Sequence, residues 1–491
     1  MKHVKLVLCL IALSNMLTGP FLDSARGVIR LSKPFAAIDT TNCVPNSPTV
    51  WFAAITGDDR NDGKTPQTPT TVYGAAQAAL PGHRVCVMGG TYPETGTFYP
   101  PRSGTPSAWI VYQAYGDGPV NVVWTPTTLP CPPAGTADCT MVNAIPQNGN
   151  SYLEFRGFTF YGRGLAGDAF GCHNSHHLRY IGNTIYDVQG AAVAAVQCDY
   201  VISDHNIVYH GGYSGTTASW TSGISYNQIQ AFDCSDGLHN VISNNIVVGQ
   251  YDNSPNHSDG SGFILDIDST PSACSQTAAR YEPAALISNN VAYGNGGRCA
   301  EAFLVSFLWI MMNNTCYTNN LDSVDANQAN TGSLSADTAN NGYFVNNISV
   351  SQQRSNPPYE QRHINTNIQY FQNVSWGGPC YADSSGTDFC ANNSQFVIGD
   401  PKFVASPYFD PTATGQYALA APPFLLDNGL TPQLGSPAYC QGVDPSTLPG
   451  VPAQVAADMK NPNNVYTIYR DFNGNARPGT GGCWDLGAYQ H

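Results

Sequence analysis

From Tyr152 to about Gly378 the chain repeats one short phrase: an apolar run, an Asn, a second apolar run, and a polar or glycine turn. It reads Tyr180-Ile181-Gly182-Asn183-Thr184-Ile185, then Val201-Ile202-Ser203-Asp204-His205-Asn206-Ile207-Val208, then Val241-Ile242-Ser243-Asn244-Asn245-Ile246-Val247-Val248. It returns as Leu286-Ile287-Ser288-Asn289-Asn290-Val291, Ile310-Met311-Met312-Asn313-Asn314-Thr315, Phe344-Val345-Asn346-Asn347-Ile348 and Tyr370-Phe371-Gln372-Asn373-Val374. Phe155-Arg156-Gly157-Phe158-Thr159 is a weaker first copy. From Asn183 to Asn373 the marker Asn recurs in steps of 23, 39, 45, 24, 33 and 26 residues, a base period near 24 with insertions.

A fixed period of this size marks a solenoid. The apolar runs are short, β-branched and bounded by Gly, Asn and Ser, which predicts strands and not a helix. Three short strands per turn, stacked turn on turn, give an all-β parallel β-helix. Equivalent Asn residues then lie one strand spacing apart, about 4.8 Å. Each amide is placed to donate to the next and to tolerate the left-handed backbone of a tight bend.

Residues 1–26 read as an export signal: Lys2, His3 and Lys5 precede the apolar run Leu6 to Leu13, which is too short to span a bilayer. Residues 27–49 form a lead-in, 50–378 the solenoid with an N-terminal cap, and 379–491 a C-terminal capping segment. Setting Cys9 aside leaves an even number of cysteines, which suits disulfides in an oxidising compartment, extracellular or periplasmic. Cys131 with Cys139, Cys380 with Cys390, and Cys440 with Cys483 are the expected local pairs. No Cys-x-x-Cys or Cys/His zinc spacing is present. The net charge of −14 argues against nucleic acid or an anionic membrane as partner. A monomer is expected.

Upstream, Val50-Trp51-Phe52-Ala53-Ala54 is followed by Gly57-Asp58-Asp59-Arg60-Asn61-Asp62-Gly63, an Ala-rich stretch from Ala75 to Leu80, Pro81-Gly82-His83, and Arg84 to Tyr92. This predicts a strand, an Asp/Gly turn, a short helix ended by Pro-Gly, and a strand. The helix would plug the open end of the solenoid. The order resembles the N-terminal cap of right-handed parallel β-helix proteins of the pectate-lyase-like group, and Trp109 to Gly116 with Pro119-Val120 is similar to that group's first full rung. The end of the chain, with Leu434-Gly435-Ser436-Pro437-Ala438, Asp471 to Pro478 and Asp485-Leu486-Gly487-Ala488-Tyr489, resembles the choice-of-anchor Q segment of secreted β-helix proteins. The resemblance implies a right-handed solenoid closed at both ends, on a scaffold that carries lyases, hydrolases, epimerases and adhesins alike.

The largest insertions fall between Gly211 and Glu282, and long solenoid loops gather on one face to build a binding site. Three rungs align there: Gly223-Ile224-Ser225-Tyr226-Asn227, Gly262-Phe263-Ile264-Leu265-Asp266-Ile267-Asp268, and Cys299-Ala300-Glu301-Ala302-Phe303. Alternation sends Ile224, Phe263 and Ala300 inward. It sends Ser225, Ile264 and Glu301 outward, and beyond them Asn227, Asp266 and Phe303, with Asp268 following on the same face. The block Asp259-Gly260-x-Gly262, Asp266, Asn289 to Tyr293 and Gly296-Gly297-Arg298 is similar to a signature of the secreted β-helix relatives, which implies a substrate groove here. The chain departs from that signature at Cys299 and Glu301.

Hydrolysis of a sugar chain needs one protonated and one ionised carboxyl, and Asp259, Asp266, Asp268 and Glu301 are the candidates. Elimination from a uronate needs a cation and a base. Asp259, Asp266 and Asp268 would then hold Ca²⁺, the one cofactor the sequence suggests. There is no Lys between Lys64 and Lys402, so a lysine base is absent from the central rungs. Arg298, by resemblance to other lyases of this fold, or His257 or His239, by pKa, are the remaining bases. Asn227, His239, Tyr226 and Trp220 are expected to bind substrate, the aromatic rings, with Tyr251 and Tyr281, by stacking on sugars. The expectation is a polysaccharide-cleaving enzyme, hydrolase or Ca²⁺-assisted lyase. The competing one is a surface or adhesion protein that binds glycans without cleaving them.

Overall fold

The computed structural model describes residues 40–126, 139–147, 149–212, 221–254, 257–268, 283–322, 331–351, 356–382, 388–391, 393–406, 428–479 and 481–491. The export-signal region, Cys131, Trp220 and Tyr281 lie outside the described residues. Three parallel sheets of 11, 11 and 9 strands run the length of the solenoid. The first extends from Val50–Ala53 to Thr366–Phe371, the second from Gly90–Glu94 to Phe396–Ile398, and the third from Val142–Ala144 to Tyr381–Ala382. Each turn contributes one strand to each sheet, and every ladder is parallel, so the chain is a parallel β-helix.

The period found in the sequence is a hydrogen-bonded column. Asn183, Asn206, Asn245, Asn290, Asn314, Asn347 and Asn373 stand one above another at the corner between the first and second sheets. Each Asn Nδ2 from Asn183 to Asn347 donates to the Oδ1 of the next at 3.0–3.1 Å. Each also donates to a carbonyl of the preceding rung, as Asn290 does to Ile242 O at 2.9 Å. One detail differs from expectation. The left-handed residue is the one before the ladder Asn: Gly182, His205, Asn244, Asn289, Asn313, Asn346 and Gln372 all have positive φ. The bend is made one position early, which frees the ladder amide to point into the solenoid and satisfy the corner's backbone.

The interior is filled by the inward alternates, Val193, Ile224, Phe263, Ala300 and Leu334 among them. The short helix Val72–Ala78 closes the N-terminal end, with Ala75, Ala76 and Ala79 fully buried against the first rungs. Its preceding turn is a structural one: Asp59 Oδ1 accepts from Thr70, from Thr71 N and from Thr71 Oγ1.

The first residues of the expected capping segment lie over the opposite end. Phe389 and Phe396 cover the last core rings, and the Cys380–Cys390 disulfide fixes that end. The later part of the segment runs back along the flank. Leu448, Val455, Met459, Tyr466, Ile468 and Trp484 pack on the outer face of the first sheet, and Phe472, Leu486, Ala488 and Tyr489 pack on the second. Asn346 Nδ2 donates to Val443 O at 2.7 Å and Ala488 N to Thr315 Oγ1 at 2.9 Å. Its described residues thus form a lateral strap over the ladder corner.

The described residues hold five disulfides: Cys43–Cys86, Cys172–Cys198, Cys299–Cys316, Cys380–Cys390 and Cys440–Cys483. Of the expected local pairs, Cys380–Cys390 and Cys440–Cys483 form, and Cys131 of the third lies outside the described residues. Cys234 is free and exposed. Among the described residues no helix is long and apolar enough to cross a membrane.

Candidate active site

Five successive strands of the third sheet carry the site: β1 (Ile224–Ile229), β2 (Phe263–Asp268), β3 (Ala300–Phe303), β4 (Leu334–Asp337) and β5 (Tyr359–Arg362). Their register builds two outward columns. One runs Ser225, Ile264, Glu301, Ser335, Glu360; the other runs Asn227, Asp266, Phe303, Asp337, Arg362. The sequence alignment of the first three rungs therefore holds residue for residue. Parallel stacking then brings together carboxyls far apart in sequence, because the same strand position on each turn faces the same way.

Asp266, Glu301, Asp337 and Glu360 are all buried, and one guanidinium, Arg298, is buried among them. Arg298 Nη1 donates to Glu301 Oε2 at 3.0 Å, and Nε lies 3.9 Å from Glu360 Oε2. Asn227 Nδ2 donates to Asp266 Oδ2 at 2.6 Å. Glu360 Oε2 accepts from Gly332 N at 2.9 Å, and Asp337 Oδ1 lies 2.6 Å from His363 Nδ1. Asp259, half-buried, completes the group from the corner before β2. Its turn is tied by Asp252, whose carboxylate accepts from Ser254 N, Ser258 N and Asp259 N. Gly297 N donates to Gly260 O, which seats this turn beside Arg298.

Arg298 lies among Glu301, Glu360, Asp337 and Asp259, and the proton affinities of Glu301, Asp266, Asp259 and Glu360 rise. Burial pushes Glu301 up to about 8 against the pull of Arg298, with Asp259, Asp337 and Glu360 adding to the rise. Burial and then Glu301 push Asp266 to about 7, while the Asn227 donor favours the ionised form. Burial, Asp266 and Asp252 push Asp259 to about 7. Burial raises Glu360 as well. Burial works against the charge on Arg298, but Glu301, Glu360, Asp337 and Asp259 outweigh it and hold its pKa above the ordinary value. Arg298 is therefore a fixed cation here, which counts against the base role considered from the sequence.

Several expected positions fall elsewhere. Tyr226 alternates inward: its ring is fully buried, and its hydroxyl lies 3.0 Å from Ser203 Oγ and from Val241 O, so it faces no substrate. Tyr251 is likewise a packing residue of the flank core. His239 belongs to the first sheet, buried with Nδ1 2.8 Å from Asp199 Oδ2 and its ring stacked on Tyr200. Asp268 lies past a bend, because Ile267 has φ 59° and breaks the alternation; its carboxylate accepts from Ser306 N at 3.0 Å. His257 stands at the corner near Asp259, with Nδ1 2.9 Å from Asp322 Oδ2.

The bend at Ile267 also bears on calcium. Among the described residues the one group of three or more His, Cys, Asp and Glu whose ligand atoms converge within 4.8 Å is Cys380, Asp388 and Cys390, and its two cysteines are joined to each other. Asp259, Asp266 and Asp268 do not converge, and the positive charge within this cluster is the guanidinium. The residues present do not fit the ion expected from the sequence.

Asp337 and Glu360 escaped the sequence reading because the rung alignment stopped at Phe303. Carried two rungs further, through Leu334-Ser335-Ala336-Asp337 and Tyr359-Glu360-Gln361-Arg362, the same alternation places both. Asp252 and Asp322 act through turn geometry that leaves no periodic signal.

No protein-family model matches the chain, and no curated protein does. Among solved structures it is similar to pectate lyase Pel9A, at 15% identity over 92% of this chain and 98% of that one, TM-score 0.46. It is similar to a GH136 lacto-N-biosidase from Eubacterium ramulus at 12% identity, over 68% of this chain and 57% of that one, TM-score 0.42. A rhamnogalacturonan lyase follows at 12% identity, over 73% and 91%, TM-score 0.37. The fold assignment rests on the strand pairing above, and no site role is taken from these similarities.

Proposed function

We propose that this chain is an exported glycoside hydrolase that cleaves an extracellular polysaccharide on the outer face of the third sheet, with Glu301 as general acid and Asp266 as general base. The observation that carries the reading is the placing of two carboxyls on adjacent strands, raised to about 8 and about 7, the first held by the Arg298 guanidinium and the second by the Asn227 amide. At neutral pH Glu301 keeps a proton to give to the glycosidic oxygen, and Asp266, favoured as carboxylate by Asn227, takes one from water. As Glu301 gives up its proton, Arg298 is already 3.0 Å away to hold the charge that develops. Glu301 and Asp266 are diagonal neighbours across one strand spacing, roughly 7–8 Å apart at the backbone. That offset suits a water between acid and base, and so inversion at the anomeric carbon. Elimination from a uronate is served less well, since the cation it needs beside the sugar carboxylate is engaged here with Glu301 and faces Glu360. The five disulfides support an extracellular setting.

The test follows purified protein on neutral and acidic polysaccharides, with Ca²⁺ or a chelator, by new reducing ends and by ultraviolet absorbance of unsaturated products. Reducing ends without the absorbance, insensitive to chelator and lost in Asp266→Asn and Glu301→Gln, are the expected outcome. Unsaturated products would replace hydrolysis by elimination. Binding without either product would make the chain a glycan-binding surface protein.

A further inference from the structure

The column that carries Asp266 and Asp337 has one aromatic member. Phe303 pairs in register with Asp266 on one side and Asp337 on the other, so its backbone stands one strand spacing, ~4.8 Å, from each of theirs and its side chain shares their face. Glu301 precedes it by two residues on the same strand and the same face. The ring is half-exposed, belongs to no apolar cluster of the solenoid, and makes no ring contact among the described residues. Elsewhere along the chain the aromatic columns stack on one another, as Tyr161, Tyr186 and Tyr209 do with centroids 4.6 and 4.9 Å apart. Packing therefore explains those rings, and among the described residues it does not explain Phe303.

The charge around it restricts what that is. Apart from Glu301, protonated as the acid, the carboxyls Asp259, Asp266, Asp337 and Glu360 still outnumber the described cations of this face, Arg298 and Arg362, and Arg298 is already engaged with Glu301. Low-dielectric surroundings strengthen repulsion of a further carboxylate, and the whole chain carries −14.

We propose that Phe303 is the platform on which one sugar ring of the substrate lies, and that the substrate is a neutral glycan presenting the apolar C–H face of a pyranose, and not a polyuronate. This rests on the reading of Asp266 and Glu301 as the hydrolytic pair, whose carboxyls then flank the bond next to the stacked ring. Phe303 acts by binding and orienting, so its removal raises KM more than it lowers kcat.

The experiment separates binding from turnover. Asp266→Asn protein is run by affinity electrophoresis in gels holding a neutral β-glucan, xylan or galactan, and in parallel gels holding polygalacturonate or alginate. It is repeated with Phe303→Ala and Phe303→Trp added. Retardation by a neutral glycan, weakened about tenfold by Phe303→Ala and kept by Phe303→Trp, is the expected result. Retardation by the polyuronates alone, or neutral-glycan binding that Phe303→Ala leaves unchanged, overturns the proposal. Wild-type turnover is scored separately. Phe303-dependent binding with no reducing ends keeps the platform and removes the hydrolytic reading. Reducing ends from polyuronates alone remove the platform and keep hydrolysis.

Discussion

Arg298 Nη1 donates to Glu301 Oε2 at 3.0 Å with each side chain only 5% exposed, and once Glu301 is ionised, above about pH 8, the two are a buried ion pair. Desolvating both charges costs several kcal/mol, and the pair holds because each supplies the other's missing solvent. Removing one partner strands the other. Arg298→Met is expected to cost about 3–5 kcal/mol of stability, and adding Glu301→Gln to that variant to restore about 1–2 kcal/mol of it. Denaturant midpoints of the four proteins measure the coupling. Strictly additive effects would show that the pair is not the contact that matters.

The pH dependence of stability follows from Asp266. Its carboxyl is raised from 3.8 to about 7, so between those values the folded chain holds a proton that the unfolded chain has released. Stability from this proton is fully present below about pH 4 and is lost as pH rises through 7. Asp266→Asn removes the ionisation while keeping the shape. It is expected to match wild type in melting temperature near pH 4 and to exceed it by several degrees at pH 8–9, a gain of a few kcal/mol at most. A constant difference across that range would mean that Asp266 titrates normally.

Activity should be confined to a narrow band. Asp266 must be ionised and Glu301 protonated, so the rate rises through about 7 and falls through about 8. The two limbs belong to the coupled cluster, and Asp259, at about 7, shares the lower one. Asp259→Asn removes a charge that raises Glu301 and is coupled to Asp266, and is expected to move both limbs, the alkaline one included, to lower pH. A profile unmoved by that change would place Asp259 outside the titrating group.

Much of this architecture was legible in the chain, and the reason is stacking. In a solenoid each turn repeats the same local geometry, so Asn183 through Asn373 announce the corner, and the alternation of Ile224-Ser225-Tyr226-Asn227 predicts register with Asp266 and Glu301. What escaped depends on departures from the repeat. Asp268 left the face because one residue, Ile267, turned to positive φ, and nothing in its side chain signals that. Tyr226 was assigned to substrate by residue type, although its place in the alternation, two after Ile224, already put it inside. The flank contacts of the C-terminal segment left no signal in the chain because that flank forms only when distant rungs come together.

Adjacent asparagines at one corner should respond oppositely. Asn314 Oδ1 accepts from Asn290 N and Nδ2 at 3.0 and 3.1 Å, and its Nδ2 donates to Ile287 O and Asn347 Oδ1 at 3.0 Å each. Asn314→Ala leaves buried backbone and amide groups unmatched on two rungs, a loss of about 2–4 kcal/mol. Asn313 has φ 54°, is fully buried, and its amide makes no hydrogen bond among the described residues. Asn313→Gly relieves the left-handed strain and removes that amide, offset by the greater freedom of glycine in the unfolded chain. The change is expected to stay within about 1 kcal/mol. Equal losses from the two substitutions, by chemical denaturation, would deny the ladder its special role.

The last prediction concerns how the site is held from behind. Cys299 follows Arg298 directly and is tied through the interior to Cys316 on the second sheet, closing 17 residues. Cys440 and Cys483 close 43 residues in the strap, away from the third sheet. In the chain-entropy picture each bond contributes about 3–4 kcal/mol, the longer loop slightly more. Their functional effects should nonetheless diverge. Without Cys299–Cys316 the backbone carrying Arg298 and Glu301 loses its anchor on the opposite wall, and small displacements of a guanidinium from its carboxylates weaken charge stabilisation steeply. The paired Cys299→Ala and Cys316→Ala chain is expected to lose at least about tenfold in kcat at a temperature where it remains folded. The paired Cys440→Ala and Cys483→Ala chain should melt lower by a comparable amount and keep wild-type kcat. Equal kcat in the two variants would show that Arg298 is positioned by the sheet alone.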